Sequence, residues 1–181
     1  MNGFLQNYIG FDGRLNRQPF WISGIVLAIV GAIIQYIIMM LMGGASIIDV
    51  NAMMQSGRST QEIVDMFSAV STKSGWASLI TLVILAYPVA AISIKRRHDR
   101  GSAGMEVWIY LALAAIIALI QALGLGMTTT QVGELTVPTP TLLFNIIALI
   151  TGILGLYLLV VMGFLKGTAG PNAYGPDPLG G

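Results

Sequence analysis

The sequence predicts an all-α integral membrane protein with four transmembrane helices, N-in/C-in, and a helical outer loop. Three observations carry this reading. Of 181 residues, 55% are hydrophobic and only 9% are charged, whereas an ordinary soluble domain is about 25% charged. Four uninterrupted apolar runs each reach the roughly 20 residues that a helix needs to cross the hydrocarbon layer. The basic residues gather on one side of those runs. A mean hydropathy of +0.80 agrees. This composition excludes a soluble enzyme, a disordered chain and a nucleic-acid binder driven by bulk charge. A formal net charge of +1 selects no partner. With no cysteine, disulfides, thiolate catalysis and thiolate-held metal are excluded.

A single membrane domain is expected over residues 1–181, with spans at about 20–42, 76–94, 107–127 and 142–165. None of these runs contains Lys, Arg, Asp, Glu or His. They are continuous rather than alternating, so helices are expected and not barrel strands, because backbone in lipid must bond within itself. The first run, 23 residues placed after two arginines, is too long for a typical signal-peptide core and reads as an uncleaved span. With four spans, both termini and the middle loop share a side. That side holds Arg14, Arg17, Lys95, Arg96, Arg97, Arg100 and Lys166, against Arg58 and Lys73 opposite. The imbalance favours N-in, C-in, with both termini cytoplasmic.

Between the spans, the outer loop at residues 43–75 reads as helical. Ile47, Ile48, Val50, Met53 and Met54 form an apolar cluster that ends before Ser56-Gly57. Ser59-Thr60-Gln61-Glu62 fits a capping box. Ile63, Met66, Phe67 and Val70 then follow on one helical face. A helical hairpin lying on the bundle or the interface is the plainer reading, and a partner surface the sharper one. The second outer loop, residues 128–141, holds one charge, Glu134, and its Val137-Pro138-Thr139-Pro140 favours an extended connection.

Within the spans, Pro88 is expected to kink or locally break the second. Small residues line three spans: Gly24, Ala28, Gly31 and Ala32; Ala114, Ala118 and Ala122; Ala148 and Gly152. Such stripes let helices approach closely in lipid, either within one bundle or across a homo-oligomer. Gln121 and Asn145 are expected to bond between helices. No ionisable side chain lies inside a span, which weighs against a proton-driven pump.

Three motifs converge on the inner side. The first, Phe11-Asp12-Gly13-Arg14-Leu15-Asn16-Arg17-Gln18-Pro19-Phe20-Trp21, joins a turn to a helix start, with Asn16 as N-cap and Pro19 in the first turn. The second is Lys95-Arg96-Arg97-His98-Asp99-Arg100-Gly101-Ser102-Ala103-Gly104, whose Gly101 and Gly104 are expected to let the chain turn into the third span. Asp99 serves no topological purpose there and is expected to pair with Arg14 or Arg17. The third, Gly167-Thr168-Ala169-Gly170-Pro171-Asn172-Ala173-Tyr174-Gly175-Pro176-Asp177-Pro178, is a run of turn residues around one tyrosine, expected to fold back over the cluster.

Taken together, Gly13-Arg14, Arg17, Phe20-Trp21, Arg97-His98-Asp99-Arg100-Gly101 and the Gly170-to-Pro178 run resemble the bacterial inner-membrane family catalogued as domain-of-unknown-function family 805. The resemblance covers the chain from about Phe4 to Pro178. It implies a four-helix membrane protein and no established activity, substrate or cofactor. Three departures from the family stand out. Pro19 replaces an acidic or polar residue. Ser102-Ala103-Gly104-Met105 replaces a Lys-Ser-Gly-Trp-like run, which moves the aromatic anchor to Trp108. The first outer loop is also long.

His98-Asp99 is the sole acid/base candidate, but neighbours in one loop do not orient each other as a catalytic dyad, so no catalytic residue is assigned. One histidine and no cysteine leave no metal site, and no cofactor is expected. The candidate cluster is Arg14, Arg17, Arg96, Arg97, His98, Asp99, Arg100, Asn172, Tyr174 and Asp177. Arginine rather than lysine fills five of six basic positions in the first two motifs, and arginine binds phosphate bidentately. The expected function is therefore non-catalytic binding of membrane lipids, anionic headgroups above all, or of a partner at the inner face. A small transporter or channel subunit and a membrane enzyme acting on a lipid phosphate are the alternatives.

Overall fold

The computed structural model describes residues 2–43, 59–133 and 135–180. Four helices are long and apolar enough to cross a membrane. They are α1 (Arg17–Leu41), α2 (Thr60–Asp99), α3 (Met105–Ala122) and α4 (Leu142–Leu159), the last prolonged by a π-helical turn at Val160–Phe164. An antiparallel hairpin, β1 (Met127–Val132) and β2 (Leu135–Pro140), joins α3 to α4. The chain forms two compact units: Met1–Ile33, Leu82–Leu113 and Thr151–Gly181 make the first, and Ile34–Thr81 with Ala114–Ile150 the second.

The first unit contains the start of α1, the end of α2, the start of α3 and the end of α4. Its apolar core is Ala90, Ile94, Val107, Leu111, Leu158 and Met162. Asn16 starts α1, its Oδ1 accepting the Arg17 N–H at 2.6 Å. At the other end of α2 the chain reverses through a Schellman turn. Ser102 N–H bonds the Arg97 carbonyl, Gly101 N–H bonds that of His98, and Gly101 takes φ 73°, where a side chain would be strained. Residues before α1 also pack here. Lys95 Nζ donates to the Gln6 and Ile9 carbonyls at 2.6 and 2.7 Å, and Phe11 meets Tyr87 and the displaced aromatic Trp108 edge-to-face.

The second unit is held differently. Gly75 of α2 lies so close to the Gln121–Ala122 backbone of α3 that an added Cβ would overlap it. Gln35 bonds Ser78 and Thr81 of α2 at 3.3 and 3.2 Å. Val64 is buried and, with Ser68, borders a small crevice against Thr128 and Pro138 of the hairpin.

Several sequence expectations change. The second half of the first outer loop is not a separate hairpin arm, since α2 runs unbroken for 40 residues from Thr60. At 1.5 Å per residue it is about 60 Å long, twice the hydrocarbon thickness. The capping box is present, with Glu62 Oε2 accepting the Ser59 N–H at 2.9 Å. Ile47, Ile48, Val50, Met53, Met54, Ser56-Gly57 and Arg58 lie outside the described residues, as does Glu134. Helix α2 passes through Pro88 without interruption. Helix α3 stops at Ala122 rather than near 127, and the connection after it is a paired hairpin, with Thr128 opposite Thr139 and a diagonal hydroxyl bond from Thr130 to Thr139 at 2.9 Å. Among the described residues Asn145 bonds Pro140 of its own connection rather than another helix; Gln35 takes that role in this unit. Among the small residues, Gly24 and Gly152 face open space. Close approach falls instead to Gly75, Gly155 and Gly163.

Candidate functional site

The C-terminal end of α4 leaves its last carbonyls without partners inside the helix, and its dipole puts partial negative charge there. The π turn widens that end, closing through Leu165 N–H to Val160 O at 3.3 Å. Five successive carbonyls then receive side-chain donors. Arg96 Nε donates to Met162 O at 2.7 Å, Trp21 Nε1 to Gly163 O at 3.0 Å and Arg17 Nη1 to Phe164 O at 3.1 Å. Arg96 Nη2 donates to Leu165 O at 2.5 Å, and Arg100 Nη1 to Lys166 O at 2.6 Å. Three arginines and a tryptophan thus cap one helix.

Asp99 ties this cap to the first motif. Its Oδ1 accepts Arg14 Nε at 3.1 Å, with Arg14 Nη2 at 3.0 Å, and its Oδ2 pairs with Arg96. Arg96 has no solvent exposure, and the Asp99 carboxylate is about 5% exposed. Gly167 passes directly over that carboxylate, where a Cβ would collide with it.

The tail is anchored by backbone. Thr168 N–H donates to Asp99 O at 2.8 Å. Arg14 donates to Thr168 O and Gly170 O, both at 2.6 Å. Asn172 Nδ2 donates to His98 O at 2.9 Å, and Asn172 Oδ1 accepts Tyr174 N–H at 2.9 Å. Tyr174 stacks on His98 with ring centroids 3.9 Å apart, and His98 Nδ1 bonds Gly13 O at 3.1 Å. Asp177 accepts Gly170 N–H at 2.9 Å and Leu179 N–H at 3.0 Å. The Leu179 and Gly170 amides, with a smaller contribution from Arg14, hold its carboxyl below the usual range.

All ten candidate residues therefore lie in the first unit, in different roles. Arg14 and Arg96 are consumed by Asp99 and by carbonyls. Arg97 pairs with Glu106, a residue the sequence did not single out. Arg100 caps Lys166. Nε of Arg97 and Nε of Arg100 are buried without a hydrogen bond. His98 and Asp99 make no dyad: the ring faces Gly13 and Tyr174 while the carboxylate faces two arginines. Asn16, Lys166, Gly167 and Thr168 belong to the motifs and the inner-side charge count but not to the candidate cluster.

Beside the cap lies a groove of about 330 Å³, lined by Asn16, Arg17, Lys166, Thr168, Asp177 and Leu179 among others. A more open depression on its other side shares Asn16, Arg17 and Leu179 and adds Gln18 and Trp21. Arg17 spends Nη1 on Phe164 and keeps Nε and Nη2, and the Lys166 ammonium is solvent-exposed. An apolar cavity of about 190 Å³ lies in the same unit, lined by Phe20, Val107, Tyr110, Leu158, Leu159 and Met162 among others.

Comparison with known proteins agrees with the motif pattern. The chain is 27% identical to the uncharacterized protein YiiR of Escherichia coli strain K12 over 92% of this chain and 84% of that one. It is 24% identical to the inner membrane protein YhaI of the same strain, over 96% and 90%. No solved structure matches. The family described as "protein of unknown function (DUF805)" matches residues 8–176. A carboxylate-centred arginine cap over four apolar helices is thus the setting of those motifs, and this membrane protein belongs to the DUF805 family.

Proposed function

We propose that this is a non-catalytic multi-pass protein of the bacterial inner membrane, with both termini cytoplasmic, that binds the phosphate of a membrane-lipid headgroup at its inner face. The observation that carries this reading is the groove at Arg17 and Lys166. Arg14 and Arg96 spend their donors on carbonyls and the Asp99 carboxylate, and Arg97 pairs with Glu106. Arg17 and Arg100 each give Nη1 to one carbonyl, and of these two Arg17 lines the groove. Arg17 retains two nitrogens and Lys166 its ammonium where they border open space. Two cations beside a leaflet attract an anionic headgroup by roughly 1 kcal/mol each. The Lys and Arg imbalance supports the orientation. The inner-membrane name of the YhaI relative supports the location.

The test is native mass spectrometry of the protein extracted in a lipid-preserving polymer, comparing wild type with Arg17→Ala/Lys166→Ala. Arg96 is avoided because its removal would unmake the cap. A lipid mass retained by wild type and lost in the double variant is the expected result. Equal masses in both would return these cations to topology and packing.

A further inference from the structure

Resting on that reading, we propose that the groove selects a headgroup carrying a primary ammonium as well as a phosphate, the chemistry of an aminophospholipid. Phosphate would sit at Arg17 and Lys166, and the ammonium at Asp177.

The groove is not a purely cationic site. Asp99 and Asp177 both line it, beside Arg17 and Lys166. The two carboxylates differ in what they have left to offer. Asp99 is bound on both oxygens by guanidinium groups. Asp177 accepts one backbone N–H on each oxygen. A carboxylate offers about four lone-pair positions, so Asp177 keeps acceptor capacity on the groove wall. Those same amide bonds favour its ionised form, so the wall carries a negative charge at neutral pH.

A bare phosphate would meet that charge as repulsion, because like charges disfavour one another at short range. A headgroup with phosphate at one end and ammonium at the other uses both halves of the groove. An ammonium brings N–H donors that a carboxylate can take up in charge-assisted bonds. A quaternary amine brings none.

The same chemistry is found in soluble phosphoethanolamine esters. The helix favours a lipid. Arg17 and Phe20 stand three residues apart on α1, hence on one face. Arg17 lines the polar groove, and Phe20, one turn deeper into the span, lines the apolar cavity with Leu158, Leu159 and Met162. A molecule with a polar head and an apolar chain fits that sequence of surfaces.

The test is a native mass spectrometry titration of the full-length protein, delipidated in detergent, with phosphatidylethanolamine, phosphatidylglycerol and phosphatidylcholine of identical chains. Phosphatidylethanolamine is expected to be retained about tenfold better than the other two, the size of one charge-assisted hydrogen bond. Asp177→Asn should level the three without abolishing binding, whereas Arg17→Ala/Lys166→Ala should weaken all of them. If phosphatidylglycerol or phosphatidylcholine binds wild type as well as phosphatidylethanolamine, the amine selection is overturned while the phosphate reading stands. If wild type retains none, both fall. If soluble glycerophosphoethanolamine displaces the lipid at equal concentration, the ligand is not a lipid. Should Asp177→Asn loosen the tail, seen as faster hydrogen exchange at the Gly170 and Leu179 amides, the wild-type ranking of the three lipids decides by itself.

Discussion

Arg96 carries a charge at a position with no solvent exposure, and it is tolerated because every face of its guanidinium has an acceptor. Nε and Nη2 reach Met162 and Leu165, while Nη1 meets Asp99. Breaking a buried ion pair from one side costs about 3–5 kcal/mol, because the remaining charge is left uncompensated. Asp99→Ala strands two arginines at once, and the expected loss is at the upper end of that range, read as a lower unfolding midpoint in detergent titration. Gly167→Ala should destabilise by about 1–3 kcal/mol, the usual size of overpacking, since the added methyl meets the Asp99 carboxylate. Gly24→Ala is its control: nothing lies within 4 Å of the added atom, and because alanine is the better helix residue an unchanged or slightly raised midpoint is expected. Asp177 makes a pH prediction. Its carboxyl lies below the ordinary value of 3.8 in the folded chain. The ionised form therefore stabilises the tail fully above that ordinary value, and the contribution is lost as pH falls through the lower folded value. Hydrogen exchange at Gly170 and Leu179 should stay slow at mildly acid pH and rise only below the ordinary carboxylate range. Acceleration already near neutral pH would contradict this.

At the scale of elements, the end of α4 explains the local sequence best. A helix that stops at the membrane surface must hand its free carbonyls to donors, and water is one answer. Here α1 supplies Trp21 and Arg17, and the end of α2 supplies Arg96 and Arg100. Trp21→Phe keeps the ring contact with Phe164 and removes the single bond to Gly163. The expected cost is about 1 kcal/mol, typical of one hydrogen bond; a loss as large as that of Asp99→Ala would show that the tryptophan does more than cap. Helices α2 and α3 meet at Gly75 rather than along the alanine stripe alone. The sequence placed Gly75 at the end of the outer loop and carried no sign of this contact, because sequence does not say which face meets a neighbour.

For the whole molecule, the distribution of charge sets orientation. The chain has no cysteine, so a single introduced thiol reports its own side without background. Ala173→Cys in the tail is expected to resist a membrane-impermeant maleimide in intact cells with a permeabilised outer membrane. Thr128→Cys in the hairpin should react. The opposite pattern would reverse the topology and move the Arg17 and Lys166 groove to the outer leaflet. Long apolar faces on α1, such as Ile22, Ile25, Ile29 and Ile33, are solvent-exposed in the isolated chain, as helices bounded by lipid require.

The four apolar helices, the Ser59–Glu62 cap, the turn at Gly101 and the pairing of Asp99 with an arginine are all legible in the primary structure. Each of these is a local pattern, or a residue too costly near a membrane to stand without a partner. Tertiary structure alone decided which arginines remain available. Their partners are mostly backbone carbonyls at residues 162–168, and a carbonyl has no signature in the sequence because every residue carries one. Five arginines that look equivalent in sequence become a buried strut at Arg96, a tail clasp at Arg14, an ion pair at Arg97, a cap at Arg100 and one partly open guanidinium at Arg17. That division follows from where the end of α4 arrives, which no single segment encodes.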